Sequence, residues 1–161
     1  PASDSFSIAG ALSLSGWCRY DGKATEFPRI ISRACPAGET PGYGWGLCLD
    51  KSEPQHFSFY LTHPDGTGLT LTGQTKIQPS QWYHVAGVFD PAGPKLLLYV
   101  NGVKEGEMAA KAAELNVRRM PLRIGDDAGT NSRLKGAIDE VRVYNRVLTE
   151  AEIQSLATSR K

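Results

Sequence analysis

Alternation of apolar and polar residues with a period of two runs through most of this chain, and it predicts β-strands that are buried on one face. The segments with this pattern are 12–20, 57–62 and 69–72, and the segments 82–90 and 95–100 predict two further strands. The sequence Pro64-Asp-Gly predicts a turn between two of them. Asn101-Gly102 predicts a type I′ hairpin, because both residues tolerate a positive φ.

The end of the chain continues this pattern and then changes period. Residues 121–127 predict a strand that runs into a polar loop, and residues 136–146 predict a further strand. Thr149 precedes Glu152 by three residues, which is the capping-box spacing and predicts a helix start. Residues 109–115 have helix-forming composition but are too short for more than a loop or one helical turn. Many short strands and one short helix predict an all-β fold, a two-sheet antiparallel sandwich.

Composition narrows the functional classes. The 161 residues fit a single domain, residues 1–161, and the net charge of +1 gives no electrostatic basis for binding nucleic acid. No apolar run approaches the roughly 20 residues that a membrane-spanning helix needs, so we expect no membrane insertion. The chain begins at Pro1 without a secretory signal pattern, and we expect it to be processed or excised from a larger protein.

Several motifs in series resemble one known family. The last strand, Gly136-Ala-Ile-Asp-Glu-Val-Arg-Val-Tyr-Asn-Arg, is similar to the closing strand of laminin-G-like domains in the concanavalin A-like lectin/glucanase superfamily. Further stretches resemble this family in the same order along the chain: 6–17, 30–33 with 43–47, 82–90, 97–102 and 122–125. The resemblance implies a jelly-roll sandwich that usually serves as a recognition module. Family members usually carry a further strand ahead of the opening one, whereas only a few residues precede Phe6 here, so we expect that strand to be lost by truncation or supplied elsewhere.

Catalytic residues are not evident in the sequence. Glycosidases on this fold commonly use two carboxylates from a Glu-x-Asp-x-x-Glu strand, and no such string occurs. Asp139 and Glu140 are adjacent, so a regular strand would direct them to opposite faces, although a bulge could bring them together. The spacing of the three histidines matches no metal site. We expect His56 and His63, which flank a strand, to be exposed, and His84, which lies within a strand, to be a hydrogen-bonded packing residue. We therefore predict that the chain is not an enzyme.

Calcium is the cofactor that the sequence favours. The loop Gly125-Asp-Asp-Ala-Gly-Thr-Asn-Ser supplies oxygen ligands of the kind Ca²⁺ prefers. The resemblance implies that Asp126, Asp127 and Asn131 hold an ion in this loop, and that Asp139 holds a structural ion near the N-terminal segment. The alternative is a solvated turn, because Asp, Asn and Gly also dominate turns for conformational reasons.

A sugar site needs a flat aromatic ring and polar groups that fix the hydroxyls. Tyr43 and Trp45 lie in a Gly-rich segment, and Tyr60 alternates with core residues so that it faces outward. Arg133 and Arg123 could contact an acidic sugar or a sulfate bidentately. The alternative for Trp45 is the core. We expect the other two tryptophans, Trp17 and Trp82, to be core residues.

The three cysteines allow two interpretations. Cys35 and Cys48 flank the loop of the second hairpin, and a bridge between them would stabilise the fold by roughly 3 kcal/mol. Cys18 would then be a small buried hydrophobic residue. Alternatively, all three are reduced residues of the core.

These observations lead to one main hypothesis and two others. The first is non-catalytic glycan binding, assisted by calcium, in a module of a larger secreted or cell-envelope protein, extracellular or periplasmic. The second is a structural or protein–protein adhesion domain, which buried Tyr43 and Trp45 rings would favour. The third is a glycan-cleaving enzyme, which would need two carboxylates about 5–10 Å apart.

Overall fold

A computed structural model describes residues 6–22, 26–34, 44–111, 114–115, 120–126 and 132–159 of the chain. These residues form ten strands and one helix. The elements are β1 (Leu12–Tyr20), β2 (Arg29–Arg33), β3 (Trp45–Leu49), β4 (Phe57–Thr62), β5 (Gly68–Thr72), β6 (Trp82–Asp90), β7 (Lys95–Val100), β8 (Val103–Ala109), β9 (Arg123–Ile124), β10 (Gly136–Tyr144) and α1 (Glu150–Thr158).

The strands build two antiparallel five-stranded sheets, which confirms the predicted sandwich. The first sheet has the order β10-β1-β6-β7-β8 and the second has the order β5-β4-β3-β2-β9. Every second residue of a strand points to the same face, so one face of each sheet carries the apolar residues of the core. Leu14, Val85 and Leu98 fill this core from the first sheet, and Leu47 and Phe59 fill it from the second.

The local predictions for the β7–β8 turn and for α1 are confirmed. Asn101 and Gly102 have φ values of 51° and 80°, as a type I′ turn requires. Thr149 and Glu152 form both hydrogen bonds of the capping box at the start of α1. Ile153 of α1 then packs on the outer face of the first sheet, in a second, smaller apolar cluster that includes Val88.

The closing strand β10 departs from regular geometry. Ser15 of β1 pairs with Arg142, and Trp17 pairs with Asp139, so two steps on β1 correspond to three on β10. Glu140 takes up the extra residue with a φ of 52°. The expectation for a regular strand was therefore wrong, and the β-bulge that was its alternative is present.

The prediction that Trp17 and Trp82 are core residues is wrong, and Trp45 takes the core position that was its alternative. Trp45 is fully buried between the sheets, whereas Trp17 and Trp82 are half-buried on the outer face of the first sheet. The register explains this result: Trp17 alternates with the core residues Leu14 and Cys18 of β1 and therefore points outward. The described residues contain no helix that is long and apolar enough to cross a membrane.

The histidines also differ from expectation. His84 is a buried packing residue as predicted, but neither of its ring nitrogens has a hydrogen-bond partner among the described residues. His63 is buried, and its Nδ1 lies 2.9 Å from the carbonyl oxygen of Glu114. His56 is mostly buried and pairs with Asp50 through a 3.2 Å contact between Nδ1 and Oδ2. Neither residue is the exposed group that the sequence suggested, because both are held by polar partners at strand ends.

Candidate functional site

The outer face of the second sheet carries a row of polar residues that crosses all five strands. The helix α1 packs on the first sheet and not on this face. On this face, Thr70 is exposed, Arg123 is half-buried, and Ser32, Gly46 and Tyr60 are buried. The strand register aligns one residue from each strand across the sheet. The row runs Arg123, Ser32, Gly46, Tyr60, Thr70.

Tyr60 lies across the neighbouring strand at the centre of this row. A Cβ atom built on Gly46 would be 2.6 Å from Oη of Tyr60 and 2.8 Å from its Cζ, so the ring occupies the space above the glycine. The guanidinium of Arg29 lies over the ring, with Cζ 4.6 Å from the ring centroid. This is cation–π geometry, and it leaves only 7% of Tyr60 exposed.

Hydroxyl groups and further donors surround this Arg29–Tyr60 stack. On the same face, Oγ of Ser58 and Oγ1 of Thr72 are 2.9 Å apart. Nε of Arg123 and Oγ1 of Thr62 are buried and have no hydrogen-bond partner within the described part of the chain. Buried polar atoms in native structures are normally bonded, so these two atoms favour a further polar partner at this face.

The strands of the second sheet contain no carboxylate. Their sequences are RIISR, WGLCL, FSFYLT, GLTLT and RI, with three arginines and no Asp or Glu. Hydrolysis of a glycosidic bond by the usual route needs two carboxyl groups in one site. The residues of these strands can therefore bind a ligand through hydroxyl and guanidinium groups but cannot supply that acid–base pair.

An ion pair borders the row at the end of β9. Nε of Arg133 lies 3.1 Å from Oδ2 of Asp126, and the Arg133 side chain is 83% exposed. The hydroxyl of Ser32 donates to the backbone oxygen of Asp126 at 3.1 Å, which ties this loop to β2. Arg133 is therefore placed at the edge of the polar face, where a ligand could reach it.

The predicted ligand-binding residues separate into three groups. Trp45 is removed from the site, because alternation along β3 directs it into the core while Gly46 faces outward. Tyr60 and Arg133 lie on and beside the polar face, and Tyr43 lies outside the described residues. Arg29 was missed by the sequence analysis, because regular alternation places it on the same face as the core residue Ile31; the register shift between these two residues turns Arg29 outward, opposite Cys48.

The calcium prediction falls partly outside the described residues, which do not include Asp127 and Asn131. Asp126 follows β9 of the second sheet, and Asp139 lies in β10 of the first sheet. Asp126 pairs with Arg133, and Oδ1 of Asp139 accepts from the backbone N–H of Glu140 at 2.9 Å. No group of three His, Cys, Asp or Glu residues in the described ranges is placed to hold an ion.

Neither Cys18 nor Cys48 is part of the row. Cys18 is buried in the core, and burial, with a smaller effect of the Asp21 charge, raises the pKa of its thiol to about 12. Cys48 is buried on β3, opposite Ser58. Cys35 lies outside the described residues, so the bridge to Cys48 stays a prediction.

Comparison with solved structures identifies the fold. The CBM40 domain of the Ruminococcus gnavus IT-sialidase, bound to alpha2,3 sialyllactose, matches with a TM-score of 0.79 and 14% identity, over 95% of this chain and 85% of the other. Domain 4 of AbnA, an extracellular arabinanase of Geobacillus stearothermophilus in complex with arabinotriose, matches with a TM-score of 0.66 and 20% identity, over 93% and 68%.

A third structure is much longer than this chain. The binding domain of Paraclostridial Mosquitocidal Protein 1 matches with a TM-score of 0.72 and 15% identity, and this chain covers 38% of its length. The model of the Laminin_G_3 family, in the concanavalin A-like lectin/glucanases superfamily, matches residues 1–154. No curated protein matches the sequence.

Proposed function

The chain belongs to the Laminin_G_3 family of the concanavalin A-like lectin/glucanases superfamily, and on that premise we propose that it binds glycans without cleaving them. The binding surface is the outer face of the second sheet, centred on the stack of Arg29 on Tyr60. The observation that carries the proposal is the aligned row of hydroxyl, aromatic and guanidinium groups on strands that contain no carboxylate.

The charges on this face favour an acidic glycan. Arg29 and Arg123 are both half-buried there, and Arg133 stands at the edge. Guanidinium groups recognise carboxylate and sulfate through paired, charge-assisted hydrogen bonds. The ligand class is therefore a saccharide that carries a carboxylate or a sulfate group, and its neutral hydroxyls meet the Ser and Thr side chains.

Titration calorimetry with chosen saccharides tests this proposal. The probes are alpha2,3-sialyllactose, a uronic-acid oligosaccharide and a sulfated oligosaccharide, with lactose as the neutral reference. We expect at least one acidic probe to bind more tightly than lactose. Arg29→Gln and Arg123→Gln should each weaken that binding by about tenfold or more, since one charge-assisted hydrogen bond contributes roughly 1.5–3 kcal/mol.

Arg19→Gln is the matched control. Arg19 also lies over an aromatic ring, with Cζ 5.5 Å from the centroid of Trp82, but it is on the outer face of the first sheet. Its replacement should leave the affinity unchanged. Equal losses in all three variants, or no binding of any probe, would contradict the assignment of this face.

Calcium assistance is a separate part of the proposal. It is supported by the composition of the loop that contains Asp126, Asp127 and Asn131, and for Asp139 by the family resemblance. A thermal melt after chelation tests it, and an ion that binds the folded chain should raise the melting temperature when calcium is restored. Asp126→Asn and Asp139→Asn then separate the two positions, and an unchanged melt at millimolar calcium rejects both.

One observation favours a protein partner as the second candidate function. The ring of Trp45 is buried, while Phe27 and Ile124 are 39% and 55% exposed near the β2–β9 edge. Exposed apolar side chains at the edge of a sheet are candidates for protein contacts. If adhesion is the function, Phe27→Ser and Ile124→Ser abolish partner binding, whereas Arg29→Gln leaves it intact.

A further inference from the structure

A cluster of buried polar atoms without partners lies on the opposite side of the molecule, on the outer face of the first sheet. Oγ of Ser15, both ring nitrogens of His84 and Nη1 of Arg142 are buried and have no hydrogen-bond partner among the described residues. Such atoms are rare in native proteins, and several in one place require an explanation. The cluster is separate from the proposed glycan face, because it belongs to the other sheet.

The strand register brings these three side chains together. Ser15 is directly opposite Arg142 on β10, and it is opposite Ala86 on β6, two residues beyond His84. Residues related in this way share one face of a sheet and are close neighbours. Trp17, directly opposite His84, borders the cluster with its ring centroid 5.5 Å from that of the imidazole.

The cluster combines donors and acceptors but carries little net charge. The guanidinium of Arg142 forms an ion pair with Glu140, which neutralises it. Burial, with a smaller effect of the Arg142 charge, lowers the pKa of His84 to about 4, so the imidazole is neutral at pH 7. A neutral imidazole has one N–H donor and one acceptor nitrogen, while Ser15 can do both and Nη1 of Arg142 only donates.

We propose that Ser15, His84 and Arg142 enclose an internal hydration site, in which bound water bridges the serine hydroxyl, the imidazole and Nη1. Water both donates and accepts, is small, and is the usual partner of buried polar atoms that lack a protein partner. An anion would add a buried charge to a cluster whose guanidinium is already paired, which is unfavourable. The water connects β10 to β6 across β1 and so links the closing strand to the centre of the sheet.

Ser13 provides an internal reference for this proposal. It lies two residues before Ser15 on the same face of β1, and both serines are fully buried. The hydroxyl of Ser13 donates to the carbonyl oxygen of Arg146 at 2.8 Å and accepts from the N–H of Leu148 at 3.0 Å. The protein thus satisfies one serine directly and leaves the other for water.

A high-resolution crystal structure of the wild-type chain tests the proposal directly. We expect a water peak within hydrogen-bond distance of Oγ of Ser15 and of at least one of the other two groups. An empty position would overturn the proposal. So would an anomalous peak there after a bromide soak, because it would identify an anion site.

Solution NMR gives a second test that does not depend on crystals. Water that stays bound gives cross-relaxation peaks to protons of Ser15 and His84 in the wild-type chain, and none to the side chain of Ser13. His84→Phe removes both ring nitrogens, and we expect it to abolish the peaks at Ser15. Persistence of these peaks in a folded His84→Phe variant, or their absence from the wild-type chain, would contradict the proposal.

Discussion

Gly46 determines where the aromatic ring of the polar face can lie. A Cβ atom at this position would be 2.4 Å from the backbone oxygen of Ile31 as well as 2.6 Å from Oη of Tyr60. Gly46→Ala should therefore lower the free energy of unfolding by roughly 1–3 kcal/mol, as overpacking does, and displace the Tyr60 ring. Urea denaturation measures the first effect, and the loss of affinity for an acidic saccharide measures the second.

Gly68→Ala is the control for this substitution. Gly68 lies on the same face in β5, but a Cβ atom there would meet nothing within 4 Å. We expect the stability of the Gly68→Ala variant to be unchanged or slightly higher, because alanine restricts the unfolded chain more than glycine does. Equal destabilisation by the two substitutions would mean that close packing at Gly46 is not the cause.

His84 should make the stability of the fold depend on pH. The pKa of His84 is about 4 when folded and 6.5 in a reference peptide, so well above pH 6.5 the imidazole is neutral in both states and its effect on stability is small. As the pH falls from about 6.5 to about 4, the unfolded chain binds a proton that the folded chain does not. We expect this group to remove about 3 kcal/mol of stability across that window, and little more below it.

Urea unfolding at several pH values measures this effect. The charged groups on the outer face around His84 are Arg19, Asp139, Glu140 and Arg142. His84→Phe leaves them in place, so the difference between wild type and variant isolates the imidazole. A difference that stays constant between pH 7.5 and pH 4 would contradict the assigned burial.

At the scale of elements, α1 depends on its cap to cover the first sheet. The backbone N–H of Glu152 donates to Oγ1 of Thr149, and the N–H of Thr149 donates to Oε2 of Glu152. Thr149→Ala removes the first of these bonds and should cost about 1 kcal/mol. We expect faster hydrogen exchange in α1, and also in β6, where Ala86 and Val88 lie beneath the helix.

Thr158→Ala is the matched control at the other end of α1. Oγ1 of Thr158 donates only to carbonyl oxygens within the last turn, those of Gln154 and Ser155. Loss of the Thr158 hydroxyl should leave the melting temperature and the amide hydrogen exchange of β6 nearly unchanged. If Thr149→Ala behaves in the same way, the cap is not what holds the helix on the sheet.

The order and limits of most elements could be predicted because their signals are local. The sequences of β1 and β6 predict strands with the bounds that the structure has, Leu12–Tyr20 and Trp82–Asp90. The Asn101-Gly102 turn and the Thr149 cap depend on two to four neighbouring residues each. These interactions involve only residues that are close together in the sequence, which is why they can be predicted from it.

Features that depend on the pairing of distant strands could not be predicted in the same way. The bulge at Glu140 exists only relative to its pairing with β1, more than a hundred residues earlier in the chain. The choice between core and surface for Trp45 depends on one residue of register in β3, because a shift of one position exchanges the faces. The stack of Arg29 on Tyr60 likewise joins two strands that are not neighbours.

At the scale of the whole molecule, the two outer faces differ in what they carry. The first sheet holds α1 on its outer face, and its strands contain Asp and Glu as well as Lys and Arg. The second sheet has arginine as the only charged residue type in its strands. The net charge of +1 conceals this asymmetry: the charged side chains in the strands of the second sheet are all cationic, while the chain as a whole is almost neutral.

This asymmetry predicts that acidic-glycan affinity follows the charge of one face and not the net charge. The double variant Arg29→Glu with Arg123→Glu should abolish binding of the best acidic probe. Arg19→Glu with Lys104→Glu changes the net charge by the same amount on the first sheet and should leave the affinity nearly intact in 0.15 M salt, where screening acts over about 8 Å. Calorimetry on both variants decides: a comparable loss in the two would show that the probe responds only to overall charge, and the second sheet would then have no special role.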